Sequence, residues 1–158
     1  MGGSIENMKP TNVCEVYSVS DNTWQLLPSL PEPKFSQSLC LFSDAWLFQF
    51  GGFGSDRAPS PSIERLKLED GKQWEVLSLK LTRAVSSMGV FQLSLKEMVV
   101  FGGWDDGKIT EAFFVKEEAP GKFSIHSEDE CKLQNEDIFL YNGAIKLDTE
   151  HHQIMVCG

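Results

Sequence analysis

The stretch WLFQFGG, residues 46–52, is an apolar run that ends in a pair of glycines. The pattern returns as EMVVFGG at residues 97–103, while the chain begins with MGG and ends with QIMVCG. The first glycine of each pair, or its counterpart, stands at positions 2, 51, 102 and 158, so the pattern recurs after 49, 51 and 56 residues. A period near fifty residues predicts an array of repeated structural units.

Two further features keep the same period. A short apolar segment follows each glycine pair, and an aromatic residue follows that segment after a polar turn. The matched pairs are Tyr17 with Trp24, Leu66 with Trp74, and Phe114 with Phe123. A small residue, Ser36, Ser87 or Gly143, stands fifteen positions before each later glycine. Three features in one register over three periods indicate a true repeat.

The repeated segments are β-strands by composition. They are short, rich in Val, Ile, Phe and Trp, and bounded by turn residues, a pattern typical of strands and not of helices. Their connections, SDNT at 20–23 and EDGK at 69–72, have the polar and glycine chemistry of tight hairpins. Four short antiparallel strands in about fifty residues make one blade of a β-propeller. The sequence therefore predicts an all-β fold of four-stranded blades.

The chain resembles the kelch-repeat β-propeller family in its glycine pairs and in Tyr17, Trp24 and Trp74. Leu66 and Phe114 stand where that family has Tyr, and Phe123 stands where it has Trp. The resemblance implies kelch blades that stack around an axis, with the large aromatic of each blade packed against its neighbour. We therefore expect Trp24 and Trp74 to be buried between blades.

The repeat boundaries divide the chain into four parts. Residues 1–35 supply the outer strands of one blade, 36–83 and 84–136 supply one blade each, and 137–158 supply the inner strands of the next. This makes about three blade-equivalents of a larger, six-bladed propeller. The remaining blades, or a second copy that exchanges strands, would pair with the end blades. A three-bladed ring closed within one chain is the remaining alternative.

Composition and charge exclude several classes of partner. The chain has 14 Lys and Arg against 23 Asp and Glu, a net charge of -9, which disfavours nucleic acids and anionic membranes. No apolar run is long enough for a membrane span, and no apolar leader is visible. Cys14, Cys40 and Cys157 lie in apolar segments, as reduced core thiols do. These features predict a cytoplasmic protein, and the resemblance adds the cytoskeleton as a location.

Motifs for catalysis, cofactors and metals are incomplete in this sequence. Residues 102–108, GGWDDGK, match the start of a phosphate-binding loop, but Ile109 stands where Ser or Thr must bind Mg²⁺. His151 and His152 are adjacent, so on a strand they face opposite sides and are poor joint ligands. The sequence therefore predicts no cofactor, no metal and no enzyme activity. The alternative is a propeller domain of an enzyme whose active-site residues lie outside this stretch.

Binding remains as the predicted function, and the loops after the glycine pairs are its predicted location. These loops differ between repeats, and propellers place function in such loops. Their residues include types that are frequent at protein interfaces. The predicted partner-binding residues are Phe53, Arg57, Trp104, Asp105, Asp106 and Lys108. The resemblance implies a protein-interaction module or scaffold in a larger intracellular assembly, because kelch proteins serve as ubiquitin-ligase adaptors and as actin-associated or cytoskeletal proteins.

Overall fold

The computed structural model describes residues 2–6, 9–105, 111–132, 143–146 and 154–157. This part of the chain is built of β-strands and contains no α-helix. The strands in chain order are β1 (Gly3–Ile5), β2 (Lys9–Thr11), β3 (Cys14–Ser18), β4 (Thr23–Leu27), β5 (Ser38–Phe42), β6 (Trp46–Phe50), β7 (Ser62–Lys67), β8 (Glu75–Lys80), β9 (Gly89–Ser94), β10 (Glu97–Phe101), β11 (Glu111–Ala119), β12 (Lys122–Lys132), β13 (Gly143–Lys146) and β14 (Ile154–Cys157). Within the described ranges, no helix is long and apolar enough to cross a membrane.

Consecutive strands pair into antiparallel sheets. Sheet I is β3–β4, sheet II is β5–β6–β7–β8, sheet III is β9–β10–β11–β12 and sheet IV is β13–β14. Strands β1 and β2 form a separate ribbon. The prediction of an all-β fold with four-stranded antiparallel sheets is confirmed by sheets II and III.

The glycine pair after β6 lets the chain turn tightly against the next sheet. Gly51 and Gly52 have φ angles of 58° and 94°, which L-residues with side chains rarely adopt. A Cβ atom on Gly51 would lie 2.0 Å from the carbonyl oxygen of Val85. The repeated glycine therefore marks a position where the backbone of one sheet approaches the connector to the next too closely for any side chain.

Each sheet has a rear face, turned to the preceding sheet in the chain, and a front face, turned to the following one. The front face of sheet I meets the rear face of sheet II in one apolar cluster. This cluster comprises Cys14, Leu27, Leu30, Leu47, Leu66 and Trp74. Leu30 belongs to the connector after β4, so the connector completes the seal between the two sheets.

A larger apolar cluster joins the front face of sheet II to the rear face of sheet III. Its buried members include Phe42, Phe48, Phe50, Ile63, Met98, Val100, Phe113 and Val115. Phe123 packs at the edge of this cluster, with its ring centre 6.0 Å from that of Phe42 and 5.3 Å from that of Phe48. Burial of aromatic side chains on this scale stabilises the stack by the hydrophobic effect.

The strand register corrects one predicted correspondence. Gly102 N donates to Glu111 O, as Gly51 N donates to Ser62 O, and this fixes the alignment of β11 on β7. Val115 then takes the position of Leu66, because each lies opposite the equivalent residue of the preceding strand, Met98 or Leu47. The assignment of Phe114 to that position is therefore wrong by one residue. Backbone hydrogen bonds, and not aromatic character, set the register.

The strand register also corrects a predicted correspondence in β12, the fourth strand of sheet III. Ile125 lies opposite Val115, as Trp24 lies opposite Tyr17, so Ile125 and not Phe123 is the register counterpart of Trp24. Phe123 comes two residues earlier and therefore lies on the same face of the strand. It still faces sheet II, as its ring contacts show.

The two predicted blade tryptophans have different environments. Trp74 is 5% exposed, and its indole N–H donates to the Pro28 carbonyl oxygen at 2.9 Å, so its predicted burial is confirmed. Trp24 is 67% exposed and contacts the Tyr17 ring at a centroid distance of 5.0 Å. Its predicted burial is wrong for the described residues, because they place no sheet behind sheet I.

Candidate partner-binding surface

The loops after the glycine pairs lie at the same end of sheets II and III. Phe53 follows the pair after β6, and Trp104 follows the pair after β10. Phe53 N donates to Phe35 O at 2.8 Å, and Trp104 N donates to Ser86 O at 2.9 Å. Each loop is therefore fastened by its backbone to the connector that leads into its own sheet, which fixes where the loop residues stand.

Phe53 is half-buried because its ring packs on a second aromatic ring. The centroid of Phe53 lies 5.2 Å from that of Phe35, with 27° between the ring planes. This stacked pair gives the base of the loop an apolar surface. Phe35 was absent from the sequence-predicted site, since it precedes the strands in a connector whose contacts the repeat pattern does not reveal.

Arg57 lies at the tip of a closed and ordered loop. Gly54 N donates to Ala58 O at 3.1 Å, Arg57 N donates to Gly54 O at 3.0 Å, and the Asp56 carboxylate accepts from Ala58 N at 3.0 Å. Arg57 has a φ of 60° and an exposed side chain. Among the described residues this side chain has no ion-pair partner, so its guanidinium is turned to solvent on a preorganised loop.

Asp105 is engaged within the protein. Its Oδ2 accepts from Arg83 Nε at 2.9 Å and lies 2.7 Å from Arg83 Nη2. Arg83 Nη1 also lies 3.7 Å from the Glu111 carboxylate. Asp105 therefore ties Arg83 to the loop that carries the half-buried Trp104. The other two predicted contact residues, Asp106 and Lys108, lie outside the described residues.

A buried ion pair lies between the connector after sheet I and the rear face of sheet II. Lys34 Nζ contacts Glu64 Oε1 and donates to Ser62 Oγ at 2.5 Å. The side chains of Lys34 and Glu64 are 2% and 4% exposed. A buried pair of this kind needs good geometry to offset the cost of desolvating both charges. The sequence gives no clear signal for this pair, because β7 has polar residues on either side of Glu64, including Arg65.

Cys14 and Cys40 are unreactive in character. Cys14 and Cys40 are free and buried. Burial raises the pKa of the Cys40 thiol to about 11 and raises that of Cys14 above its ordinary value. Both are therefore protonated at neutral pH. In the part of the chain that the structure describes, no three His, Cys, Asp or Glu side chains are grouped so that they could hold a metal ion.

Comparison with known proteins assigns the chain to no family. No protein-family model matches it, and no curated protein matches it.

Proposed function

We propose that the chain is part of a kelch-repeat β-propeller that acts as a non-enzymatic protein-interaction module in a larger cytoplasmic assembly. The stacked four-stranded sheets and the repeated glycine pairs support the propeller. The observation that carries the binding role is the Arg57 loop, which holds at its tip a guanidinium without an ion-pair partner among the described residues, and the Phe53–Phe35 ring pair at its base.

This arrangement favours a partner segment in which an acidic residue stands next to an apolar one. Arginine binds carboxylates through paired N–H donors, and preordering of the loop lowers the entropy lost on binding. The ring pair offers an apolar surface on the same loop. Among the described residues Arg65 and Arg83 are already paired, with Glu75 and Asp105, so Arg57 is the guanidinium with the fewest internal commitments.

The experiment compares Arg57→Glu with Lys72→Glu. Both substitutions make the same change in charge at an exposed loop residue, but Lys72 lies in the β7–β8 turn, at the opposite end of sheet II. Proteins retained from cell extract by the immobilised wild-type chain are identified, and one is purified. Arg57→Glu is expected to raise its dissociation constant by about tenfold or more, while Lys72→Glu changes it little.

Two results would contradict the proposal. One is an equal dissociation constant of the partner for Arg57→Glu and Lys72→Glu, when both variants have circular dichroism spectra like that of the wild-type chain. The other is catalytic activity of the purified chain that is unchanged by Arg57→Glu. Phe53→Ala provides a second arm, since loss of the stacked ring is expected to weaken the same complex.

A further inference from the structure

The rear face of sheet I carries two aromatic side chains that the described residues leave uncovered. We infer that this face, marked by Tyr17 and Trp24, binds the front face of sheet III in a second copy of the chain. The inference rests on the propeller proposed above, because it requires sheets that stack face to face around a common axis.

The same two positions are buried where a preceding sheet is present. Gly2 N donates to Val13 O as Gly51 N donates to Ser62 O, so Tyr17 and Trp24 correspond to Leu66 and Trp74. Tyr17 and Trp24 are 40% and 67% exposed, against 2% and 5% for Leu66 and Trp74. The difference in exposure follows from the neighbour, since sheet I covers the second pair.

The uncovered area is specific to these positions. Leu26 lies opposite Glu15, and its counterpart Val76 lies opposite Glu64. Leu26 is 76% exposed and Val76 is 58% exposed, although sheet II has a sheet behind it. Exposure at this position is therefore normal for the fold, whereas exposure at Trp24 is not.

The chain itself provides a matching surface on the front face of sheet III. There Phe91, Leu93 and Phe114 pack on the buried residues Val99, Phe101 and Ala112. The strand register places Val99 at the position of Phe48, which lies in one apolar cluster with Val115 and Ile125, the counterparts of Tyr17 and Trp24. A sheet I that docks there would set its aromatic pair on the same kind of apolar platform.

Phe114 adds an aromatic contact to this platform. It takes the position of Arg65, whose guanidinium carbon lies 5.6 Å from the centre of the Phe123 ring of the following sheet. Phe114 is half-buried and stacks on His126 with a centroid distance of 5.3 Å. A ring at this position points to the rear face of the following sheet, and sheet I carries Tyr17 and Trp24 on that face.

The strand edges are complementary as well. Within the described residues β3 pairs only with β4 and β14 pairs only with β13, while β13 lies beside β9 as β9 lies beside β5. The β6–β7 register, in which Phe48 lies opposite Arg65, would place Met155 opposite Val16 of the second copy. The β14 edge of one copy can therefore pair with the β3 edge of the other. With both such pairings made, two copies close a six-sheet ring.

A photo-crosslinking experiment tests the inference. The photoreactive residue p-benzoylphenylalanine replaces Trp24, and chains labelled with ¹⁵N are mixed with unlabelled chains. We expect the mass of two chains in sedimentation equilibrium, and crosslinks from position 24 to residues 89–116 that join a labelled chain to an unlabelled one. Crosslinks confined to one chain would instead mean a ring of three sheets closed within the monomer, and would overturn the inference.

Matched variants give a second readout. Trp24→Ser is expected to raise the dimer dissociation constant by about tenfold or more, whereas Leu26→Ser leaves it within about twofold. Both side chains are exposed, so neither change should unfold the chain. A wild-type chain that stays monomeric up to roughly 0.1 mM would sink the second copy as the occupant. If that monomer still binds its partner through Arg57, the proposed function stands without the dimer.

Discussion

Ser87 donates its backbone N–H to the backbone carbonyl oxygen of Ser36 at 2.8 Å, and both residues have a φ of 56°. They occupy the same position in consecutive repeats, fifteen residues before a glycine pair. Their small size in the sequence therefore has a conformational cause. The chain enters sheets II and III through these two residues with left-handed backbone, and a hydrogen bond links them from one sheet to the next.

The stability of Ser87 variants should depend on how readily the new residue adopts a positive φ. Ser87→Val is expected to lower the free energy of unfolding by about 1–3 kcal/mol, because a β-branched residue is strained at positive φ. Ser87→Gly should remain within about 0.5 kcal/mol of the wild type, since relief of strain and the added entropy of the unfolded chain oppose each other. Urea denaturation measures both. Ser78→Val, on the exposed strand β8, is the control, and an equal cost at both sites would refute the conformational explanation.

Trp74 should be a principal support of the contact between sheets I and II. Trp74→Ala is expected to cost about 3–5 kcal/mol through the cavity it leaves. Trp74→Phe should cost less, about 1–2 kcal/mol, because the Pro28 carbonyl loses its indole donor while most of the packing is kept. Thermal and urea unfolding give these values. Leu26→Ala, at an exposed position, serves as control and should change stability by less than about 0.5 kcal/mol.

The Lys34–Glu64 pair should show strong coupling. Loss of either partner leaves a buried charge alone, so Lys34→Val and Glu64→Phe should each cost about 3–5 kcal/mol. The double variant should be about as stable as the wild type. At the contact between sheets II and III, the positions of Lys34 and Glu64 are taken by Val85 and Phe113, and both of these apolar residues are buried. A double-mutant cycle in urea measures the coupling. Additive costs would show that the two charges do not depend on each other.

Cys40 should make stability fall in alkaline solution. Its pKa is raised to about 11 by burial, while the unfolded thiol ionises near 9.0. Between these values the folded state keeps a proton that the unfolded state has lost, so the free energy of unfolding decreases as pH rises from about 9 to about 11. The loss is on the order of 2 kcal/mol. Comparing the pH dependence of wild type and Cys40→Ala isolates this contribution, and parallel curves would count against it.

The repeat period was enough to predict strands, sheets and the glycine turns, because these depend on local pattern and on residues that tolerate positive φ. The position of Phe114 could not be predicted, since the loop before β11 is two residues shorter and only backbone pairing fixes the register. The exposure of Trp24 depends on a neighbouring sheet and not on the residue itself. At the candidate surface, Arg57 and Phe53 were found by residue type, whereas the engagement of Asp105 by Arg83 required the folded loops.

Sheets II and III are each made of consecutive residues, and each packs on the sheet made just before it. This order lets the nascent chain assemble on the ribosome, because every hairpin closes a short loop and meets a surface already present. The front face of sheet II, in contrast, is covered only by strands that are synthesised later. Phe48, Phe50 and Ile63 have no cover until strands β10 and β11 have been synthesised. A chain stalled between these two sheets would therefore display an aromatic surface of the kind that chaperones bind and that promotes aggregation.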